Sequence, residues 1–525
     1  RSNGISNFIW SITDGGDHRY GRIFWNSIAL FVFLPEYFFG EFGQIFFARM
    51  FQASIVITSF VILAKTFINN PILRIVLFFC LLNIPFSDYY MTSPKPEPIQ
   101  LLFLSTFLFY YKKYNMKIDS FYWVFLGLAF GAKISLLPLV IIFLLPSIFH
   151  AIYQKKIYLL LEKYIVGLYY FILGLGLAVP ILLPPIFISI IIYKLIIKLF
   201  SVNLYYKLSL IFTLIFTNLA TSLLLFFKYN IITGLALWGG STFLNTAHGS
   251  DDVSIGFSNW LQYLFYDLFT APTILLAISC IIFLILFIRY IASNYFINFF
   301  KSSEIPILLI VAGIFSSIII FLTVERIWGF YLFINSIIAL VGIFAIIEYN
   351  IFNKKSFNRI DYYLSHILLL IFFIIATIFW FPKNYNKFIS LSQRTQSNEY
   401  LENYQSYEEI LHFVEKLPTD SKKILITYDP SLFLLPENQN YDIDLFWGFL
   451  VDWGKDIDVI ILNKNHTPNR EYVPTIDTVD YAAYLVEKEK YESLVHNNPL
   501  CENHQKCYRE ALKLTNGGVI LLSNQ

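Results

Sequence analysis

The residues best suited to catalysis lie in a charged segment near the start of the chain. Residues 11–26, SITDGGDHRYGRIFWN, contain two carboxylates, a histidine and two arginines: Asp14, Asp17, His18, Arg19 and Arg22. A carboxylate placed here can act as a general base that takes a proton from an acceptor hydroxyl or amine. We call residues 11–26 the N-terminal charged segment. Asp17 and Asp14 are its candidate catalytic residues, and His18, Arg19 and Arg22 are expected to line a substrate.

Three cationic residues further along the chain have the chemistry to bind a phosphate. Lys95 and Arg326 lie beside apolar segments, and Lys133 lies inside one. Arginine presents a planar fork to a phosphate, whereas lysine presents a point charge. Transfer of a sugar from a phosphate needs one base on the acceptor and cationic stabilisation of the leaving phosphate. The residue types are therefore compatible with glycosyl transfer from a phosphate-linked donor.

Other polar residues lie in short connections between apolar segments. Asp88 and Glu97 belong to SDYYMTSPKPEP, His248 belongs to WGGSTFLNTAHGSDD, and Tyr331 follows Arg326 in TVERIWGFY. Ionisable groups at membrane depth are costly and are usually functional, although a single long side chain can extend its charge to the interface instead. Several such groups on one side of the membrane favour a shared site, and these four are predicted to line the substrate.

A metal or another cofactor is not predicted. His248, Asp251 and Asp252 are the one candidate metal group, and a solvated loop explains them better because their spacing is not typical of a metal site. A net charge of +2 gives no indication of a nucleic-acid partner. Cys501 and Cys507 fit either a disulfide in an exterior domain or two free thiols, and the sequence leaves both open.

The composition requires a membrane around most of the chain. Of 525 residues, 57% are hydrophobic and 14% are charged, whereas about a quarter of the residues in a soluble domain are charged. We therefore predict a mainly α fold, a polytopic transmembrane helical bundle with a small C-terminal extramembrane α/β domain. The first domain covers residues 1–383, with an outer loop and an interfacial helix over 1–43 and about ten or eleven spans after it. A buried break is expected at Lys133, inside the long apolar segment 121–149.

The distribution of lysine and arginine predicts the orientation. If residues before 44 lie outside, every basic loop between apolar segments falls inside, as the positive-inside rule requires. The N-terminal charged segment then lies outside, and so does the tail, residues 384–525. In the tail, a helical stretch is followed by KKILITYDP, DIDVIILN and GGVILLSN, which are typical of strands. Because the chain begins outside and with Arg1, we expect at least one further crossing before it.

Four stretches resemble one family of membrane enzymes. They are HRYGRIFWNSIALFVFLPEYFFGEFGQIFFARMFQA, SPKPEPIQLLFLSTFLFYY, FLGLAFGAKISLLPLVIIFLLP and TVERIWGFYLFINSIIALVGIF. In order and topology they resemble the glycosyltransferase C superfamily, in the branch of protein O-mannosyltransferases and aminoarabinose transferases (glycosyltransferase family 39-like). The resemblance implies transfer of a sugar from a polyprenyl-phosphate donor to a lipid, glycan or protein acceptor at the outer face of the cell membrane.

The resemblance also implies roles for particular residues. Lys133 matches the loop lysine of the family, Arg326 matches its phosphate-binding arginine, and Glu97 lies at its acidic position after a proline. The family places its catalytic acidic pair just after the first span. If His18 lies at the corresponding later position, that pair precedes Arg1 and is missing, and Asp14 and Asp17 are only its neighbours. The residues after Arg326 also depart from the family pattern.

Two other functions are compatible with the same charges. A transporter or flippase of lipid-linked substrates would use a cationic cavity without a base, but the charges lie on the outer side and not at the midplane, and no inverted repeat is visible. A non-catalytic scaffold would carry its charges scattered around the rim. Convergence of the outer charges on one place would therefore favour a substrate site over a scaffold.

Overall fold

A computed structural model of the chain describes helices in the first part of the chain, and one helix and six strands in its tail. The described residues are 22–93, 95–115, 117, 120–133, 136–144, 157–178, 278, 281–282, 284–285, 305–323, 332–352, 359–382, 384–386, 389, 398–417, 422–426, 441–445, 457–462, 500–502 and 506–524. The described residues up to Asn384 form one compact unit and those from Tyr385 onward form a second. The protein is mainly helical with one small sheet, as predicted.

The first unit is built from helices. They are α1 (Arg22–Phe67), α2 (Pro71–Asn83), α3 (Ser87–Thr92), α4 (Glu97–Lys113), α5 (Trp123–Ala132), α6 (Ile157–Ala178), α7 (Ile305–Thr323), α8 (Phe333–Phe352) and α9 (Arg359–Ile374), which continues into a π-helical turn (Ile375–Trp380). Two described helical stretches are long and apolar enough to cross a membrane, Phe46–Phe67 within α1 and Ser365–Asn386. Shorter apolar helices include Pro71–Asn83, Trp123–Ala132 and Phe333–Tyr349.

Helix α1 reverses direction within its length. The rings of Phe31 and Phe51 lie 4.8 Å apart between centroids, whereas twenty residues of straight helix would separate their Cα atoms by about 30 Å. The sequence between them contains Pro35, Gly40 and Gly43, and proline and glycine are the usual causes of sharp helix kinks. The two arms correspond to the apolar segments 23–39 and 44–64 of the sequence, and the placement of the first arm at a membrane interface stays a prediction.

Close backbone contacts join the helices in pairs. A Cβ atom added at Gly127 of α5 would lie 2.0 Å from the carbonyl oxygen of Phe171 in α6, and one added at Gly174 would lie 2.0 Å from that of Val124. Gly313 of α7 faces α8 in the same way. Small residues that let backbones approach are typical of helix contacts in membranes, where apolar burial from water does not drive helix association.

A carboxylate from α8 fixes one end of the bundle. Glu348 is 9% exposed, and its Oε1 accepts hydrogen bonds from the backbone N–H groups of Asn69 and Asn70 at 2.6 and 2.5 Å. The Asn70 side chain caps α2 by accepting from Ile72 N, and Pro71 occupies the first turn, as helix starts prefer. These contacts explain why the chain turns between α1 and α2 at this place.

The second unit combines one helix with a six-stranded sheet. Helix α10 (Asn398–Glu415) precedes β1 (Lys422–Ile426), β2 (Tyr441–Leu445), β3 (Ile457–Leu462), β4 (Leu500–Glu502), β5 (Lys506–Lys513) and β6 (Val519–Asn524). The strand order is β2-β1-β3-β6-β5-β4, with β1 parallel to β2 and β3 and the other pairings antiparallel. Ile410 and Val414 of α10 pack with Val459 and Ile520 of the sheet. The predicted helix and three strands are confirmed.

Candidate functional site

The predicted break in the long apolar segment 121–149 positions Lys133. Helix α5 ends at Ala132, and Lys133 takes an extended conformation with φ −159° and ψ 133°. A second helical stretch follows at 137–144. The break is therefore confirmed, and it turns the backbone so that the Lys133 side chain meets the start of α4.

Glu97 is the partner of Lys133. It lies in the first turn of α4, where the partial positive charge of a helix N-terminus favours a carboxylate. Its Oε1 forms an ion pair with Lys133 Nζ. Glu97 is 6% exposed and Lys133 is 8% exposed. Removing two charges from water is costly, so each of these side chains depends strongly on the other.

Two glutamines extend this pair into a network. Gln100, one turn after Glu97 in α4, donates from Nε2 to the carbonyl oxygens of Ala129 at 3.1 Å and Lys133 at 2.6 Å. Gln52 of α1 donates from Nε2 to the carbonyl oxygen of Lys95 at 3.2 Å. We call Gln52, Lys95, Glu97, Gln100 and Lys133 the polar cluster. It joins α1, the connection before α4, α4 itself and the end of α5.

Several acceptor atoms of the polar cluster have no hydrogen-bond partner within the described part of the chain. They are Gln52 Oε1, Glu97 Oε2 and Gln100 Oε1, all fully buried. Most buried polar atoms in proteins are paired, and each exception calls for an explanation such as a ligand, an ion or ordered water. The arrangement therefore offers acceptor oxygens beside a charge pair.

Lys95 and Asp88 lie next to the polar cluster. Lys95 is half-buried, and its Nζ lies 5.9 Å from the centre of the Tyr89 ring, a cation–π contact. Asp88 is half-buried in the first turn of the short helix α3. The structure thus brings the predicted residues Glu97 and Lys133 together, with Lys95 two residues before Glu97 and Asp88 on the preceding helix.

An apolar group packs at the same place and includes the start of α1. Ile55, Ile99 and Ala132 are buried against one another, and Ile23 and Phe51 pack on them. Ile99 lies between Glu97 and Gln100 in sequence, and Ala132 precedes Lys133. Because Ile23 belongs to the first turn of α1, the chain enters this helix beside the polar cluster.

Most of the remaining predicted site residues lie outside the described part of the chain. They are Asp14, Asp17, His18, Arg19, His248, Arg326 and Tyr331, together with the metal candidates Asp251 and Asp252. Arg22 is the first residue of α1. Among the described residues, no group of three His, Cys, Asp or Glu side chains could hold a metal ion.

Comparison with known proteins adds no assignment. No family model matches the chain, and no curated protein is significantly similar to it. The glycosyltransferase C resemblance therefore stays a prediction from the sequence motifs.

The sequence prediction did not include the two glutamines. Gln52 and Gln100 lie in apolar segments that the sequence predicts to be membrane spans. Polar amides at such positions usually bond across helices or face a cavity. That rule, applied to amides as well as to charges, would have identified both residues.

Proposed function

We propose that this protein is a membrane glycosyltransferase that moves a sugar from a polyprenyl-phosphate donor to an acceptor at the outer face of a membrane. The observation that carries the proposal is the convergence of Lys95, Glu97 and Lys133. Lys133 follows α5 and Glu97 begins α4, yet their side chains form a buried pair, and the half-buried Lys95 lies two residues before Glu97. Convergence favours a substrate site over a scaffold with scattered charges.

The proposal includes a multi-pass bundle over residues 1–383 and an exterior tail over 384–525. Helix α4 supports this orientation, because Glu97 lies at one end and Lys112 and Lys113 lie in its last turn. Under the positive-inside rule the lysine end is inside. Thr66 at the end of α1 accepts a hydrogen bond from Lys112 Nζ at 2.6 Å, so α1 and α4 share this inner end. The polar cluster then lies towards the outside.

In the proposed reaction, a carboxylate of the N-terminal charged segment is the base. Asp17 or Asp14 removes the proton from the acceptor hydroxyl or amine, whose lone pair attacks the anomeric carbon of the sugar. The bond from that carbon to the phosphate oxygen breaks, and polyprenyl phosphate leaves with the electron pair. Lys133, Arg326 and Lys95 stabilise the negative charge of the leaving phosphate.

The ion pair gives Glu97 a definite part in this scheme. Lys133 is bound to a carboxylate in the structure, so a phosphate must either share Lys133 with Glu97 or replace Glu97 as its partner. We infer that Glu97 holds Lys133 Nζ in place until the donor phosphate arrives. A buried lysine without such an anion would lose its charge more readily.

The test is transfer by purified protein in detergent. A panel of radiolabelled polyprenyl-phosphate hexoses and pentoses is supplied with membrane lipid, glycan or peptide acceptors. Wild-type protein is expected to convert one donor to polyprenyl phosphate and a labelled product. Arg326→Ala and Lys133→Ala are expected to abolish transfer. Unchanged transfer in both variants would remove the phosphate site from the proposal.

The same assay separates an enzyme from a transporter. A transporter or flippase moves its lipid across a sealed membrane and leaves the covalent bonds intact. Consumption of the donor in detergent, without vesicles, therefore excludes pure transport. Movement of labelled lipid in vesicles together with an intact donor would favour the transporter.

A further inference from the structure

The three buried acceptor oxygens of the polar cluster point to a ligand of definite chemistry. Gln52 is 1% exposed, Glu97 is 6% exposed and Gln100 is fully buried. Each has already used its other polar atom: the two Nε2 groups donate to backbone carbonyls, and Glu97 Oε1 binds Lys133. The oxygens that remain, Gln52 Oε1, Glu97 Oε2 and Gln100 Oε1, can only accept hydrogen bonds.

The three residues belong to one continuous set of contacts. Gln52 binds the backbone of Lys95, two residues before Glu97. Gln100 binds the backbone of Lys133, whose side chain binds Glu97. The two other unpartnered buried atoms in the described part of the chain are both N–H donors, Asn335 Nδ2 in α8 and Trp380 Nε1 after α9. The unpartnered acceptors are thus concentrated in the polar cluster.

The charge of the polar cluster limits the ligand further. The Lys133 ammonium balances the Glu97 carboxylate, the two amides are neutral, and the Lys95 ammonium, directed at the Tyr89 ring, is the one remaining charge of the cluster. A set of neutral amide oxygens and one free carboxylate oxygen suits O–H donors better than it suits a second anion. A few precisely placed polar groups with an apolar lining are typical of small-molecule sites, and Ile55 and Ile99 supply apolar surface here.

We propose that Gln52, Glu97 and Gln100 bind hydroxyl groups, and that these are the hydroxyls of the donor sugar. This inference rests on the proposed function, in which the sugar must lie beside the phosphate that Lys133 binds. One oxygen of Glu97 then orients Lys133 for the phosphate, and the other orients the sugar. Ordered water carries the same O–H donors, so the experiment has to separate the two sources.

The experiment compares two lipids on three proteins. Binding of bare polyprenyl phosphate and of the same lipid carrying the sugar used in transfer is measured in detergent by calorimetry. The proteins are the wild type, Gln52→Met and the control Ser59→Ala. Methionine keeps the length of glutamine and removes both its oxygen and the Nε2 donor to the Lys95 carbonyl, so the readout is the difference between the two lipids. Ser59 is equally buried in the same helix and its hydroxyl donates to the carbonyl oxygen of Ile55 one turn earlier, so the control also removes a buried polar group.

The expected result is a selective loss in one variant. Wild type and Ser59→Ala should bind the sugar-bearing lipid more tightly than the bare lipid. Gln52→Met should lose about threefold to tenfold more affinity for the sugar-bearing lipid than for the bare lipid, the value of one hydrogen bond. In a second comparison with the same two lipids, Glu97→Gln, which keeps one oxygen at this position, should retain more of the preference than Glu97→Met.

One set of results would contradict the sugar assignment alone, and another would contradict the proposed function. An unchanged preference in Gln52→Met, or equal weakening for both lipids, means that ordered water fills these acceptors, and the sugar assignment is wrong. The same holds if wild type binds both lipids equally. Failure of wild type to bind bare polyprenyl phosphate overturns the proposed function itself, and the sugar assignment with it.

Discussion

Lys133 stabilises the buried Glu97 and is proposed to bind a phosphate, and a pair of substitutions can separate these two roles. Lys133→Met leaves the Glu97 carboxylate buried, and its Oε2 has no partner among the described residues even before the change. Removing one partner of a buried ion pair costs about 3–5 kcal/mol because the other charge is left in a medium of low polarity. The single variant is therefore expected to lose this much unfolding free energy.

The double variant Lys133→Met with Glu97→Gln removes both charges. Replacing a whole buried pair by neutral groups is often close to neutral for stability, within about 1–2 kcal/mol. The two substitutions should therefore be strongly non-additive. The measurement is unfolding of the detergent-solubilised protein, followed by tryptophan fluorescence. Lys95→Met is the matched control: among the described residues its ammonium contacts the Tyr89 ring, and loss of this cation–π contact should cost about 0.5–1 kcal/mol.

Activity then decides the second role. If Lys133 binds the donor phosphate, the double variant should be as stable as wild type and still inactive in transfer. Additive losses of stability would contradict the buried-pair interpretation. Recovery of transfer in the double variant would show that Lys133 acts only by neutralising Glu97, and the phosphate role would be wrong.

Three further predictions concern other parts of the chain. Gly127→Ala should force α5 and α6 apart, since the new Cβ would lie 2.0 Å from the backbone oxygen of Phe171. We expect the unfolding free energy to fall by about 1–3 kcal/mol, and the protein to be less monodisperse in size-exclusion chromatography. Glu348→Ala should lose about 2–4 kcal/mol of unfolding free energy, because two backbone N–H groups are left without an acceptor. Glu348→Gln should lose about half as much, and denaturant unfolding measures both. Cys501 and Cys507 occupy opposite positions of β4 and β5, where Cα atoms lie about 4.5–5.5 Å apart, within the range of a disulfide. If the tail is exterior, mass spectrometry without reductant should find this bond, and alkylation of both thiols in the native membrane would contradict the exterior orientation.

Local patterns in the sequence predicted a large part of the fold. The helix break at Lys133 could be predicted because a lysine and Gly131 interrupt an apolar segment too long for one crossing. The strands β1, β3 and β6 could be predicted because each is a short run of β-branched and leucine residues next to polar or turn residues. The strands β2, β4 and β5 are not predicted by the sequence, since charged residues interrupt their apolar pattern and they depend on pairing with their neighbours.

Only the tertiary structure shows which groups the candidate site residues contact. The sequence assigned Lys133 to a phosphate and Glu97 to a substrate lining, and their ion pair across two helices was not visible in either segment. Gln52 and Gln100 became part of the site only when α1, α4 and α5 came together. Helical periodicity reports which face of a helix is apolar, but it carries no information about which distant polar groups meet. The sequence by itself therefore determined many of the helices, three strands and the break at Lys133. Packing between helices determined the polar cluster, because a buried charge has no partner except those that the fold brings to it.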